Sequence, residues 1–361
     1  MTILITGAAG FIGSQLAMAC LRRGDSVIGV DNFNEYYARK CKEFNLDLVR
    51  LTANKEPLAT KDLEIKTVFE KLQGYSTNDK INSQKQGSFQ FYEIDILDYD
   101  KLKNIFENNN ITAIIHLAAW AGVPLSTKKP IIYAKVNVEG TTNLLKLAAD
   151  YNVNKFLFAS SSSVYGHRSQ EQVKETDSIT NAESVYGATK VAGEVLCHAF
   201  YKSRGLKSAI IRIFGPIYGP LQRPHGMLHQ RAINYLHNNK TLQIYGRNGL
   251  DTAKDATYID DEIQGFLKIL DSDFEYEIYN IGTANPLSIR HWLDCIEKAF
   301  EKKLQINIID ADTADVTSSA DISKAESKVG YRPKMSMEEG VKRQVEVFKL
   351  MPKWYQEMKD V

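Results

Sequence analysis

From residue 2 to residue 158, short apolar runs alternate with longer amphipathic stretches, the rhythm of parallel strands joined by crossover helices. Strands are predicted at 3–6, 26–30, 89–94, 113–117 and 155–159, with helical spacing over 12–23, 101–108 and 138–151. The pattern is that of an α/β fold with a doubly wound parallel sheet. Past Tyr186 a helix to about 203 leads into a strand at 208–213, after which loops with Gly, Pro and charged residues become frequent. Helices over 229–238, 263–270 and 289–302, and short strands at 242–245, 279–281 and 305–308, predict a smaller, mostly C-terminal α/β domain.

The stretch 51–87 departs from this rhythm. It is rich in Lys, Glu, Asn and Gln where such a sheet needs only a short connection, so we read it as a polar surface insertion with a solvated helix over 60–72. With 43% hydrophobic and 25% charged residues the chain is an ordinary globular protein able to bury a large core. Forty-five basic against 44 acidic side chains leave a formal charge of +1, which gives no global field for nucleic acid or an anionic membrane. An anionic ligand must be held locally. Cys20, Cys41, Cys197 and Cys295 are too dispersed for a disulfide framework or a zinc motif, and His225 and His229 lack carboxylates at ligand spacing, so no metal is expected. No cationic, apolar leader precedes the first strand, and no run reaches the about 18 apolar residues of a membrane span. The expectation is a cytoplasmic enzyme.

Candidate chemistry begins at the first turn. Gly7-Ala8-Ala9-Gly10-Phe11-Ile12-Gly13 follows an apolar strand and opens a helix, which aims free N–H groups and the positive helix end at a diphosphate. Gly7 permits the tight turn, Gly10 the approach of phosphate and Gly13 close packing of helix on sheet. The second strand ends in Asp31, a carboxylate placed for the two adenosine ribose hydroxyls. It repels a 2′-phosphate, and neighbouring Asn32 adds no positive charge, so the expected cofactor is NAD. Asp95 and Ile96 are expected beside the adenine, and Leu117, Ala118 and Ala119 along the diphosphate. Residues 1–180 thus read as a Rossmann-like NAD-binding domain, with 186–215 and 250–275 packing on it. Segments 216–249 and 276–361 are assigned to the substrate domain.

Tyr186 and Lys190 stand at i and i+4 on one helix face. A phenol with a pKa of about 10 is a poor base at neutral pH, and a nearby cation favours its phenolate. Tyr186 then serves as the base for a hydroxyl whose carbon loses hydride, while Lys190 also reaches the nicotinamide ribose. The run Ser160-Ser161-Ser162-Ser163 follows the fifth strand at the carboxyl edge of the sheet, where hydroxyls can bond the reacting oxygen.

With these residues in place the chain resembles the extended short-chain dehydrogenase/reductases that modify nucleotide sugars. The resemblance spans nearly the whole chain. It extends to His116, Asn137-Val138-Glu139-Gly140-Thr141, Tyr258-Ile259-Asp260-Asp261, Tyr279-Asn280-Ile281-Gly282 and Gly330-Tyr331-Arg332-Pro333. It implies NAD, a UDP-sugar substrate, oxidation of the sugar at C4 as the first step, and a homodimer built on the helices near Asn104 and Tyr186. Family dehydratases carry an Asp-Glu pair where this chain has Ser162 and Ser163, and decarboxylases keep the glutamate. The resemblance therefore implies a 4-epimerase, in which the keto sugar takes hydride back on its other face. A 4,6-dehydratase or decarboxylase with an unusual acid is the enzymatic rival. An NAD-binding sensor or scaffold is the rival without turnover, and the intact Tyr186 and Lys190 speak against it.

Residues 31–37, 118–123 and 160–166 look most like UDP-glucuronate 4-epimerases, as does Arg223-Pro224. Four features depart from that subgroup: Pro124 replaces its usual Arg, Gly215 its Thr, Lys254 its Arg, and 212–220 is one residue longer. Substrate contacts are expected from Ser126, Ser162, Gly215, Arg223, Arg247, Lys254 and Tyr258. Arg223 or Arg247 supplies the bidentate diphosphate contact that a lysine cannot make. Trp120, Tyr133 and Phe214 are read as packing.

Overall fold

In the computed structural model, which describes residues 1–54, 63–75, 87–166, 172–223, 227–246, 248–310 and 319–358, the apolar runs become parallel strands of one sheet. These are β1 (Thr2–Thr6), β2 (Ser26–Asp31), β3 (Phe89–Glu93), β4 (Ala113–His116), β5 (Lys155–Ser161), β6 (Ser208–Ile213) and β7 (Tyr276–Ile281). Their spatial order is β7-β6-β5-β4-β1-β2-β3. Ile3, Leu4 and Ile5 pair with both β2 and β4 and are fully buried, as the central strand of a sheet covered on both faces must be. The chain leaves β1 toward β2 on one side, while β4 lies on the other. The connections diverge there, and a crevice opens at the carboxyl ends.

The covering helices are α1 (Phe11–Arg22), α2 (Arg39–Thr52), α3 (Leu63–Tyr75), α4 (Tyr99–Asn108), α5 (Thr141–Asp150), α6 (Val185–Arg204), α7 (Leu228–His237), α8 (Ile259–Asp271), α9 (Ile289–Phe300) and α10 (Met337–Leu350). The helix expected over 138–151 starts earlier, as a π-helical segment Lys135–Gly140 that runs into α5. Among the described residues no helix is long and apolar enough to cross a membrane.

Two boundaries differ from the sequence reading. The segment given to the substrate domain from 276 onward begins inside the sheet, because Tyr276–Ile281 pairs along its whole length with Ser208–Ile213 as the edge strand. Within the insertion 51–87, residues 63–75 are not merely solvated surface, while 55–62, with the first residues of the helix expected over 60–72, and 76–86 lie outside the described residues. On α3, Ile65, Val68 and Leu72 recur at helical spacing and are buried in the main core, and α3 packs on α2 and α10. Lys71 Nζ and Tyr75 Oη both reach Glu346 of α10, at 2.6 and 2.5 Å. The sequence reading saw the polar stripe of this helix and missed the narrower apolar one.

Candidate functional site

The glycine turn is shaped by contacts that leave no room for a side chain. Gly7 has φ +72°, and its N–H donates to Val30 O at 2.8 Å. A Cβ on Gly13 would stand 2.1 Å from Gly7 O, and one on Gly7 would stand 3.0 Å from Ala118 N. The turn is therefore a bare-backbone cradle at the N-terminus of α1, facing the cleft. Such a cradle fits a dinucleotide diphosphate. Gly7, Gly10, Phe11, Ile12 and Gly13 line that cleft, and so do Asp31, Asn32, Asp95, Ile96, Leu117, Ala118, Ala119, Tyr186 and Lys190.

At the far end Asp31 accepts from Ala9 N at 3.2 Å and from Phe33 N at 2.9 Å, while Asn32 Nδ2 donates to Asp95 at 2.8 Å. A cation from another element accompanies this carboxylate. The buried Lys42 of α2 places Nζ 3.6 Å from Asp31 and donates to Asn34 Oδ1 at 2.8 Å. Burial pulls the lysine below its ordinary pKa, and Asp31 opposes that pull. The ion pair joins a strand end to a separate helix, which sequence spacing alone does not reveal.

A hydrogen-bonded chain holds the loop after β4. Ala118 N–H donates to Thr6 Oγ1, which lies 2.7 Å from His116 Nδ1, and His116 Nε2 lies 2.9 Å from Thr141 Oγ1. Thr141 gives its own proton to Asn137 O, so it accepts from Nε2–H, and Nδ1 accepts from Thr6. Burial drives His116 down to about 3, so it stays neutral and structural. Asn137 then brackets Trp120 through both backbone groups, at 2.8 and 2.9 Å, and donates to Thr189 of α6 at 3.0 Å.

Tyr186 and Lys190 sit in the first turns of α6, capped by Ser184 Oγ, which accepts from Gly187 N. Two glycines let this helix approach the sheet. A Cβ on Gly187 would meet Ser163 O at 2.6 Å, and one on Gly193 would meet the Phe158 ring at 2.3 Å. The buried Arg212–Glu194 pair, at 2.7 Å, ties α6 to β6, and Ser160 Oγ donates to Glu194 at 2.5 Å. The Ser161 side chain lies near enough to the Tyr186 hydroxyl to favour its phenolate.

The electrostatics differ from the expected tyrosine–lysine pairing. Burial pushes Tyr186 up to about 12, opposed by the Ser161 hydrogen bond and the charge of Arg223. Lys190 Nζ donates to Ala159 O at 2.7 Å and lies 5.9 Å from the Tyr186 ring centroid. Burial lowers Lys190 itself to about 8, with Glu194 opposing. Arg223, on a distant loop, adds a smaller pull toward the phenolate.

Of the expected substrate residues that are described, only Arg223 lines the cleft. Its guanidinium lies 4.6 Å from the Tyr36 ring centroid. Tyr36 donates to Ala121 O at 2.7 Å and sits 5.6 Å from Trp120, which is 6.0 Å from Tyr133; the Tyr133 ring meets Tyr186 edge-on at 6.3 Å. Sequence reasoning missed Asn34, Tyr36, Tyr37 and Lys42 as walls of the cleft. The first three stood in the quoted 31–37 signature but were given no role.

The other expected contacts lie elsewhere. Ser126 is fully buried and donates to Val123 O at 2.7 Å within its own short helix. Of the serine run Ser160 lines the cleft while Ser161, Ser162 and Ser163 do not; Ser162 and Ser163 are half-buried, and Ser163 N donates to Ser161 Oγ at 3.2 Å. Gly215 precedes a cis peptide to Pro216 and lies between the cleft residues Ile213 and Ile217 without lining the cleft itself. Lys254 sits in a short strand (Ala253–Lys254) paired with Leu287–Ser288. Tyr258 is a core residue, 5.5 Å from the Tyr218 ring and closely packed on Gly340, which corrects its reading as a ligand. Arg247, with Pro224 and His225, lies outside the described residues.

The later family signatures are staples. Asp255 accepts from Thr283 N at 2.7 Å, Ala284 N at 3.0 Å and Ala320 N at 3.1 Å. Asp261 accepts from Lys334 N and Met335 N, Tyr331 donates to Gly282 O, and Asn280 accepts from Tyr165 while donating to Val173 O.

Comparison with known proteins agrees with this geometry. Residues 3–282 match the NAD dependent epimerase/dehydratase family. The chain is 36% identical to a UDP-glucuronate 4-epimerase of Thermodesulfobacterium geofontis, over 95% of this chain and 94% of that one. Its fold is similar to that of a UDP-glucuronic acid 4-epimerase from Bacillus cereus solved with UDP-glucuronic acid and NAD, with a TM-score of 0.79, 31% identity, and coverage of 97% and 100% of the two chains. It is also similar to a UDP-glucose 4-epimerase from Thermotoga maritima solved with UDP-glucose, with a TM-score of 0.76, 28% identity, and coverage of 97% and 99%.

Proposed function

The chain belongs to the NAD-dependent epimerase/dehydratase family, and from that premise we propose that it is an NAD-dependent UDP-sugar 4-epimerase acting on UDP-glucuronate or a related UDP-hexose. One observation carries the choice among family reactions. Among the described residues lining the cleft the only carboxylates are Asp31 and Asp95, both at the end away from Tyr186. Around the phenol stand Ser161, Lys190 and Arg223, with Glu194 consumed by Arg212 and Ser160. Elimination of water from C5 and C6 needs an acid that the described residues at this end lack, whereas oxidation and re-reduction at C4 need only a path for one proton.

The cofactor, held by the glycine cradle, Asp31 and the loop after β4, supplies reversible hydride transfer. Tyr186 takes the O4 proton, with Ser161 sharing the hydrogen bond, and returns it after the keto sugar turns. Lys190 keeps one donor on Ala159 O and offers the others to the nicotinamide ribose. Arg223 faces the substrate's anionic groups and favours the phenolate. We assign the cofactor to the sheet half of the chain and the sugar to the segments that follow β6. We extend the reading to a cytoplasmic homodimer. Four buried free cysteines support the compartment, and the exposed Val195 on α6 supports an interface through that helix.

Incubation of the purified protein with UDP-glucuronate or UDP-glucose, followed by proton NMR, tests the reaction. The 4-epimer is expected without added NADH. A 4-keto-6-deoxy sugar, a pentose, or turnover only with added NADH overturns the proposal.

A further inference from the structure

α9 buries Trp292, Leu293 and Ile296, and α10 packs across the neighbouring face. That packing brings together three side chains outside the cleft. His291 and Cys295 are one turn apart on α9, and Glu338 lies in the first turn of α10. Their ligand atoms all fall within 4.8 Å of one another. Cys295 Sγ is 3.7 Å from His291 Nε2, and Glu338 Oε1 is 3.3 Å from the same nitrogen.

Hydrogen bonding serves both contacts only weakly. Nε2 carries either a lone pair, to which a thiol can donate but a carboxylate cannot, or a proton, which the carboxylate must share with sulfur, a poor acceptor. A cation satisfies nitrogen, sulfur and oxygen together. The distances fit one: ordinary zinc–sulfur, zinc–nitrogen and zinc–oxygen bonds at tetrahedral angles place sulfur about 3.6 Å and oxygen about 3.4 Å from the nitrogen. The ligand set is also of zinc type, imidazole and thiolate with one carboxylate. Cys295 is buried, whereas His291 and Glu338 are partly exposed, so an ion has a path in from solvent.

We propose that His291, Cys295 and Glu338 bind a zinc-class divalent cation that staples α9 to α10, remote from the cofactor cleft. The sequence hid this site because its third ligand comes from another helix.

The test uses the full-length protein stripped with a chelator and titrated with zinc against a chromophoric competitor. One equivalent is expected to bind. Cobalt is expected to give the near-ultraviolet thiolate charge-transfer absorption that only a cysteine ligand produces. Cys295→Ser should abolish that absorption, and both it and His291→Ala should weaken zinc by more than the roughly 10-fold cost of losing an outer hydrogen-bond partner. Glu338→Gln, at an exposed position, should weaken zinc while leaving the fold intact. Absence of stoichiometric binding, or equal binding by wild type and Cys295→Ser, overturns the proposal.

Discussion

The carboxyl edge of β1, β2, β4 and β5 and the later stretch from Pro216 to Pro333 carry equally plain family signatures, yet the two regions use them in opposite ways. At the edge, Gly7, Gly13, Asp31, Asp95 and Tyr186 open on a shared cleft. In the later stretch Asp255, Tyr258, Asp261, Asn280 and Tyr331 turn inward, and the four polar ones apart from Tyr258 bond other segments. The difference follows from topology. Parallel strands whose connections diverge leave their ends unfilled, and side chains there meet a ligand. Where short strands and turns return to the sheet, backbone groups lack ladder partners, and polar side chains supply them. A motif can therefore mark a family faithfully without marking its active site.

The sharpest way to break this comparison is a matched pair of tyrosines. Tyr186→Phe is expected to lower kcat by about 10²- to 10⁴-fold while NAD remains bound, measured by turnover and by cofactor released on denaturation. Tyr258→Phe should leave KM for the UDP-sugar unchanged; a raised KM would return Tyr258 to the substrate site.

Next in size is Asp255→Ala, which strips the acceptor from Thr283 N, Ala284 N and Ala320 N. Urea unfolding should show a loss of about 1–3 kcal/mol, with KM for NAD unaltered, since the residue acts on the fold alone.

At neutral pH the smallest effect comes from two buried histidines, which act on the acid limb of stability. Burial drives both His116 and His229 down to about 3, against about 6.5 unfolded. Between those values the unfolded chain binds more protons, so stability falls as pH drops through the window. His116 is bonded at both nitrogens. His229 is stacked between Tyr218 at 4.7 Å and Trp292 at 4.5 Å, and neither of its nitrogens has a partner among the described residues. His229→Phe should flatten the loss below pH 6.5 without a cost at neutral pH. His116→Phe should flatten it too, but with a neutral-pH loss of about 1 kcal/mol from its threonine partners. Denaturant midpoints across that pH range distinguish the two.

The sheet, the glycine turn and the Tyr186–Lys190 pair were legible in the residues because each is a local pattern. Strand runs report burial on two faces, the glycine spacing reports one strand–turn–helix unit, and a four-residue step places two side chains on one helix face. Other features depended on packing between segments far apart in the chain. Lys42 meets Asp31 from a separate helix, Arg223 reaches the Tyr186 phenol from a distant loop, and Ile65, Val68 and Leu72 turn part of a polar insertion into core. The edge strand Tyr276–Ile281, read as part of another domain, joins the sheet. Periodicity specifies what an element is and which face it buries. Which distant charge, ring or hydroxyl stands opposite that face is decided only when the elements pack, because those contacts depend on distances that no local spacing encodes.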